Sequence, residues 1–210
     1  MTEEQNEVTP EENHDSANDT ATQAKEIGQK ALSEAKVVTL HAADAIKTLI
    51  SDPIGGQASC ISTLGVNALP VGIAFIAIFV LVNGIVPNGM MGDQFHVRLF
   101  SAAGFAGGLL GAIFVIGKLF GSGAHLIGSL FTTGVALLPL TIGFTLAYLL
   151  KGSLNTSIGA LLFTFIITVL LANASIKSVQ NASERATVIL TPIAILAGML
   201  GKYIMGTIFG

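Results

Sequence analysis

The residue types that carry out enzymatic chemistry are few in this chain and form no known motif. Cys60 is the only cysteine, which excludes an intrachain disulfide and any CxxC site. No GxSxG, P-loop or GxGxxG motif is present, and the region 53–210 has only Asp93 and Glu184 as acids. The four histidines have no metal-binding spacing such as HExxH: His14, His41, His96 and His125. We therefore predict no enzymatic activity, no metal ion and no cofactor.

Small residues inside apolar stretches are the more informative candidates. Gly104/Gly108 and Gly107/Gly111 have the four-residue spacing that lets two helix backbones approach closely in a membrane. Such pairs serve packing within one chain, a face between two copies, or less commonly a channel lining. We predict these four glycines as helix-packing residues.

Three more candidates fall in one apolar stretch. Thr141 and Thr145 lie one helical turn apart, so their hydroxyls are expected either to bond across a helix pair or to return to the carbonyl four residues earlier. Pro139 removes a backbone hydrogen bond and predicts a kink. Broken helices also build transporter sites, so this reading stays open beside plain helix packing.

The composition is that of a membrane protein. Hydrophobic residues make up 51% of the chain and charged residues 11%, with a mean hydropathy of +0.73, whereas soluble domains are about a quarter charged. Seven acids and no Lys or Arg lie in residues 1–20. Because the basic residues form no cluster, nucleic acid is excluded as a partner.

Five apolar segments have the roughly 20 residues needed to cross a hydrocarbon layer of about 30 Å. Backbone groups in lipid must be satisfied internally, which favours helices. The predicted fold is an all-α, polytopic helix bundle with a five-span transmembrane domain over 53–210. No Asp, Glu or Arg lies in the central third of any span, which disfavours a cation-coupled transporter. The predicted spans are 66–86, 99–120, 126–150, 154–172 and 188–209.

The amino-terminal part is predicted to be soluble. Residues 1–20 are acidic and contain no aromatic residue, which indicates a disordered tail. Residues 21–52 show an apolar stripe at helical spacing and predict an amphipathic cytosolic helix that ends before Pro53. This helix is expected to lie on the membrane surface or on the spans, to pair with a partner, or to remain solvated.

Lys and Arg near the spans indicate the orientation. With the amino terminus inside, four basic residues lie inside and three outside, which favours a cytoplasmic amino terminus and an outside carboxyl terminus. The acidic tail agrees, since we expect no signal peptide to carry it across. The four inner residues are Lys47, Lys118, Lys177 and Arg185.

Three stretches resemble the Yip family of multi-pass membrane proteins, first known for binding Rab-type GTPases. They are the helix running into a proline, the third span with its Leu138-Pro139, and the loop with Glu184 and Arg185 before a proline-bearing last span. Their sequences are IKTLISDPIGG, GVALLPLTIGFTLAYLL and ERATVILTPIAIL. Eukaryotic members carry an Asp-Leu-Tyr-Gly-Pro type element, whereas residues 51–56 here contain no tyrosine. The resemblance therefore implies a bacterial relative in the cytoplasmic membrane, and no functional residue is transferred.

Two functions follow as expectations. The first is a non-enzymatic membrane scaffold that recruits a protein partner through its amino-terminal helix and whose small-residue spans pack into a bundle, either within one chain or as a homo-oligomer. The alternative is a transporter or channel, or an accessory subunit of one, for a small solute or ion. The lipid bilayer is the expected surrounding partner in both.

Overall fold

The computed structural model describes residues 14–53, 55–86, 94–121, 126–150 and 153–210, with side chains from residue 25 onward. All regular structure in these ranges is helical. A 3-10 turn at Gly65–Asn67 separates the second and third helices. The helices are α1 His14–Ser51, α2 Gly56–Leu64, α3 Ala68–Ile85, α4 Phe95–Phe120, α5 Leu126–Leu149, α6 Leu154–Ser178 and α7 Glu184–Phe209.

Within those ranges, five helical segments are long and apolar enough to cross a membrane. The first comprises α2, the 3-10 turn and α3 together, and the others are α4, α5, α6 and α7. This fits an integral multi-pass membrane protein and confirms the predicted all-helical class with five apolar helices.

The helices differ from the predicted spans mainly at their polar ends. The fourth span was predicted to end at residue 172, but α6 continues to Ser178, and α7 begins at Glu184 rather than at residue 188. At a rise of about 1.5 Å per residue, the 25 residues of α6 are about 37 Å long, which exceeds a hydrocarbon core of about 30 Å. Hydropathy marks only the apolar part of such a helix.

The chain divides into two compact units, residues 1–40 and 41–210. In the first unit, the helix predicted for 21–52 already begins at His14, so residues 14–20 of the predicted tail are helical. Residues 1–13 of that tail lie outside the described residues. From Lys25 to Val37 every side chain is exposed, including Ile27 and Leu32.

In the second unit the spans pack in pairs. The most extensive contacts are α4 with α7, α3 with α5, and α5 with α6. One buried cluster joins α3, α4, α5, α6 and α7 around Phe79, Leu109 and Leu137. A second cluster joins α3 and α5 to the last turns of α1 and to α2 around Phe75 and Phe131.

The last turns of α1 and the short α2 form a helical hairpin. Ala45 and Leu49 of α1 and Cys60 of α2 are buried in the same cluster, and the Sγ of Cys60 lies 3.9 Å from the carbonyl oxygen of Ala45. At the turn, the Gly55 N–H donates to the Oδ1 of Asp52 at 2.8 Å. The α1 helix therefore ends just before Pro53, as its sequence predicts.

The hairpin turn reaches into the bundle. The Nε2 of Gln57 donates to the carbonyl oxygens of Pro53 at 3.2 Å and Leu171 at 3.3 Å. Leu171 lies seven residues before the end of α6, which is about 10 Å along the helix axis. The turn is thus anchored well inside the end of α6.

The first span is interrupted earlier than its proline suggests. A proline inside a span commonly kinks it, but Pro70 lies in the first turn of α3, where the backbone N–H groups have no partner within the helix. The interruption is at Gly65, whose φ of 54° favours glycine.

The hairpin packing can be tested by disulfide formation. We expect Ala45→Cys to form a disulfide with the native Cys60 on mild oxidation, because the two positions are buried against each other. The measurement is the loss of both free thiols to a maleimide reagent after denaturation. The exposed Ala43→Cys is the matched control and should keep both thiols. Equal oxidation of the two variants would contradict the hairpin.

Candidate functional site

The predicted glycines of α4 divide into two faces. Gly104 and Gly108 face α7, where a methyl group at Gly108 would lie 2.9 Å from the carbonyl carbon of Ala197 and 3.1 Å from the Cα of Gly198. A methyl group at Gly201 of α7 would in turn lie 3.0 Å from the carbonyl carbon of Gly104. The backbones of α4 and α7 therefore touch at glycines contributed by both helices.

The other glycine pair of α4 is not used in this contact. Apart from the nearby backbone of α4 itself, a methyl group at Gly107 or Gly111 would meet no atom within 4 Å, and both residues are exposed. The structure thus brings Gly104 and Gly108 against α7 and leaves Gly107 and Gly111 on the outer surface of the second unit.

Two further contacts between helices use glycines that the sequence analysis did not single out. A methyl group at Gly72 of α3 would lie 2.7 Å from the backbone nitrogen of Phe131 in α5, and Gly134 faces the backbone of Gly72. Between α5 and α6, Gly143 lies directly against the side chain of Thr164. The signal that could have found them is the repeated occurrence of glycine on the buried face of a span.

The predicted threonines bond to their own helix. The Oγ1 of Thr141 donates to the carbonyl oxygen of Leu137 at 3.0 Å, and that of Thr145 donates to the carbonyl oxygen of Thr141 at 2.9 Å. These hydroxyls therefore donate their hydrogen bonds within α5 rather than to another helix. Pro139 is buried within the same helix, so the threonine and proline candidates all lie on α5, whereas the predicted glycines lie on α4.

Pro139 lies in the wall of a surface groove of about 430 Å³. The groove lies between the end of α1, the second half of α5 and the middle of α6. Ile142 and Phe163 on its rim are 57% and 64% exposed. The lining residues are Ile46, Leu49, Ile50, Pro53, Val135, Leu138, Pro139, Ile142, Leu146, Phe163, Thr164, Ile167 and Leu171.

The side chains that line the groove are apolar, and the one hydroxyl among them is already hydrogen-bonded. This hydroxyl belongs to Thr164, whose Oγ1 donates to the carbonyl oxygens of Ala160 at 2.9 Å and Leu161 at 3.1 Å. The lining therefore offers an ion no charged ligand and no unused donor. The groove therefore suits a hydrocarbon ligand.

Buried polar side chains join the ends of the spans. Arg98, in the first turn of α4, is buried and its Nε donates to the carbonyl oxygen of Gly84 at 3.0 Å, in the last turn of α3. A cation there stabilises the carbonyl end of a helix. After α6, the Nε2 of Gln180 donates to the Oγ of Ser129 in α5 at 2.9 Å. Hydropathy gives no signal for either contact.

No metal-binding group of three or more His, Cys, Asp or Glu residues occurs in the part of the chain that the structure describes. Comparison of the chain with protein-family models, curated proteins and solved structures finds no match. The features of the described residues that bear on function are therefore the helix contacts, the exposed part of α1 and the groove.

The two faces of α4 predict opposite effects of adjacent substitutions. Gly108→Ala places a methyl group against the backbone of α7, and overpacking of this kind costs about 1–3 kcal/mol. Gly107→Ala meets nothing, and alanine is the better helix former, so stability should be unchanged or higher. Thermal unfolding in one detergent should give a lower Tm for Gly108→Ala only. An equal Tm for both variants would contradict the contact between α4 and α7.

Proposed function

We propose that the protein is a non-enzymatic membrane scaffold of Yip-like type whose α1 helix recruits a protein partner. The observation that carries this proposal is the exposed apolar stripe in the first unit. Ile27, Ala31 and Ala35 are exposed at steps of four residues, and Val38 continues the stripe half-buried. Apolar residues at this spacing form one face of a helix.

A protein partner suits this stripe better than a membrane surface does. Interfacial helices combine bulky apolar residues with a Lys/Arg-rich polar face. Residues 25–40 contain three lysines and two glutamates and no aromatic residue, so their attraction to anionic lipid is weak. The alanines of the stripe permit the close approach of another helix, as in helix-in-groove recognition.

The spans then serve as the anchor of the scaffold. We place the chain in a bacterial cytoplasmic membrane with the amino terminus, and hence the exposed first part of α1, on the cytoplasmic side. The exposed Gly107 and Gly111 supply a small-residue face that suits a second copy of the chain. Transport is less well supported, because the groove beside Pro139 lacks ligands for an ion.

Site-specific photo-crosslinking in native membranes tests the recruitment. A photoreactive amino acid at Ile27, which is 69% exposed on the stripe, should give discrete protein adducts. The same amino acid at Leu32, which is 63% exposed but off the stripe, is the matched control and should give none. Lipid adducts alone from position 27, or the same proteins from both positions, would contradict the proposal.

A further inference from the structure

We propose that the groove between α1, α5 and α6 is a binding site for one acyl chain of a bilayer phospholipid. The site is separate from the apolar stripe of α1 and does not depend on the proposed scaffold function. Its lining comes entirely from the second unit.

The length of the groove matches one chain. Its lining on α5 runs from Val135 to Leu146, which at about 1.5 Å per residue is about 16 Å. One leaflet of a hydrocarbon core of about 30 Å is about 15 Å thick. A single extended chain of one leaflet therefore spans the groove without a partner from the other leaflet.

The walls are held in place by contacts that the lining residues make with one another and with their neighbours. Next to the groove, Gly143 lies against Thr164 and keeps α5 and α6 in close contact. At the Val135 end, Leu49 is buried with Val135, and Gln57 links the hairpin turn to Leu171. The groove is thus a shaped surface rather than a gap between loosely packed helices.

The medium around the groove indicates that a lipid chain, rather than water, occupies it. The helices that form most of this surface are among those able to cross a membrane, so the medium facing Ile142 and Phe163 is lipid chains. Water needs two or more polar partners in such a space, and the hydroxyl of Thr164 is already bonded within α6. An unfilled groove would forfeit the dispersion contacts of its lining, whereas an ordered chain restores them.

Photolabelling of the purified full-length protein in nanodiscs tests the site. The probe is a phosphatidylcholine with a diazirine in the middle of one acyl chain, present as a small fraction of the lipid. Adducts mapped by mass spectrometry should concentrate on the groove residues of α5 and α6. Even labelling of all exposed span residues would overturn the proposal.

Two tryptophan variants provide the matched comparison. Ile142→Trp fills the groove, whereas Ile166→Trp lies on α6 outside it, and both positions are 57% exposed. We expect Ile142→Trp to reduce groove labelling about tenfold, equivalent to about 1.4 kcal/mol of lost affinity, and Ile166→Trp to leave it unchanged. Equal labelling of both variants would overturn the proposal.

A third variant and a titration complete the test. Leu146→Trp fills the groove at the end opposite Val135. If Ile142→Trp does not fold, Leu146→Trp takes its place and should reduce groove labelling by a similar factor. If a second copy of the chain fills the groove instead, labelling will fall as the ratio of protein to lipid rises, and this result also overturns the proposal. Labelling that is independent of that ratio supports a bound chain.

Discussion

Close contact between helix backbones at small residues is the constraint on which the second unit depends. In a bilayer, apolar side chains gain little by leaving lipid for one another, so helix association relies on van der Waals packing and on hydrogen bonds between helices. Three interfaces here are built on glycine: α4 with α7, α3 with α5, and α5 with α6. A side chain larger than hydrogen at these positions would meet the backbone of the neighbouring helix or, at Gly143, the side chain of Thr164.

The position of α5 follows from these contacts. It lies against α3 through Gly72 and Gly134 and against α6 through Gly143, and it is the span with the largest buried share. Close to Gly143, the residues Ile142 and Leu146 of α5 line the groove. The same helix therefore has the largest buried share of the five spans and also lines the groove.

The apolar helices were predictable because a length of about 20 apolar residues has few other physical solutions. The choice between the two glycine pairs of α4 was not predictable, because both have the same spacing and only Gly104 and Gly108 contact α7, at Gly198 and Gly201, which are 90 or more residues away in sequence. The hairpin was missed because α2 is short and weakly apolar, and its burial depends on Ala45 and Leu49. The groove depends on contacts among three helices, of which Pro139 was the only local sign.

The central claim is that the region after Pro53 is dissolved in a bilayer. Its spans expose large apolar side chains such as Leu162, Ile189 and Leu196. Exposing so much apolar surface is unfavourable in water but not among lipid chains. Washing membranes that contain the full-length protein with alkaline carbonate, followed by ultracentrifugation, is the most direct measurement. The protein is predicted to remain in the membrane pellet until detergent is added. Its release into the supernatant without detergent would contradict the account.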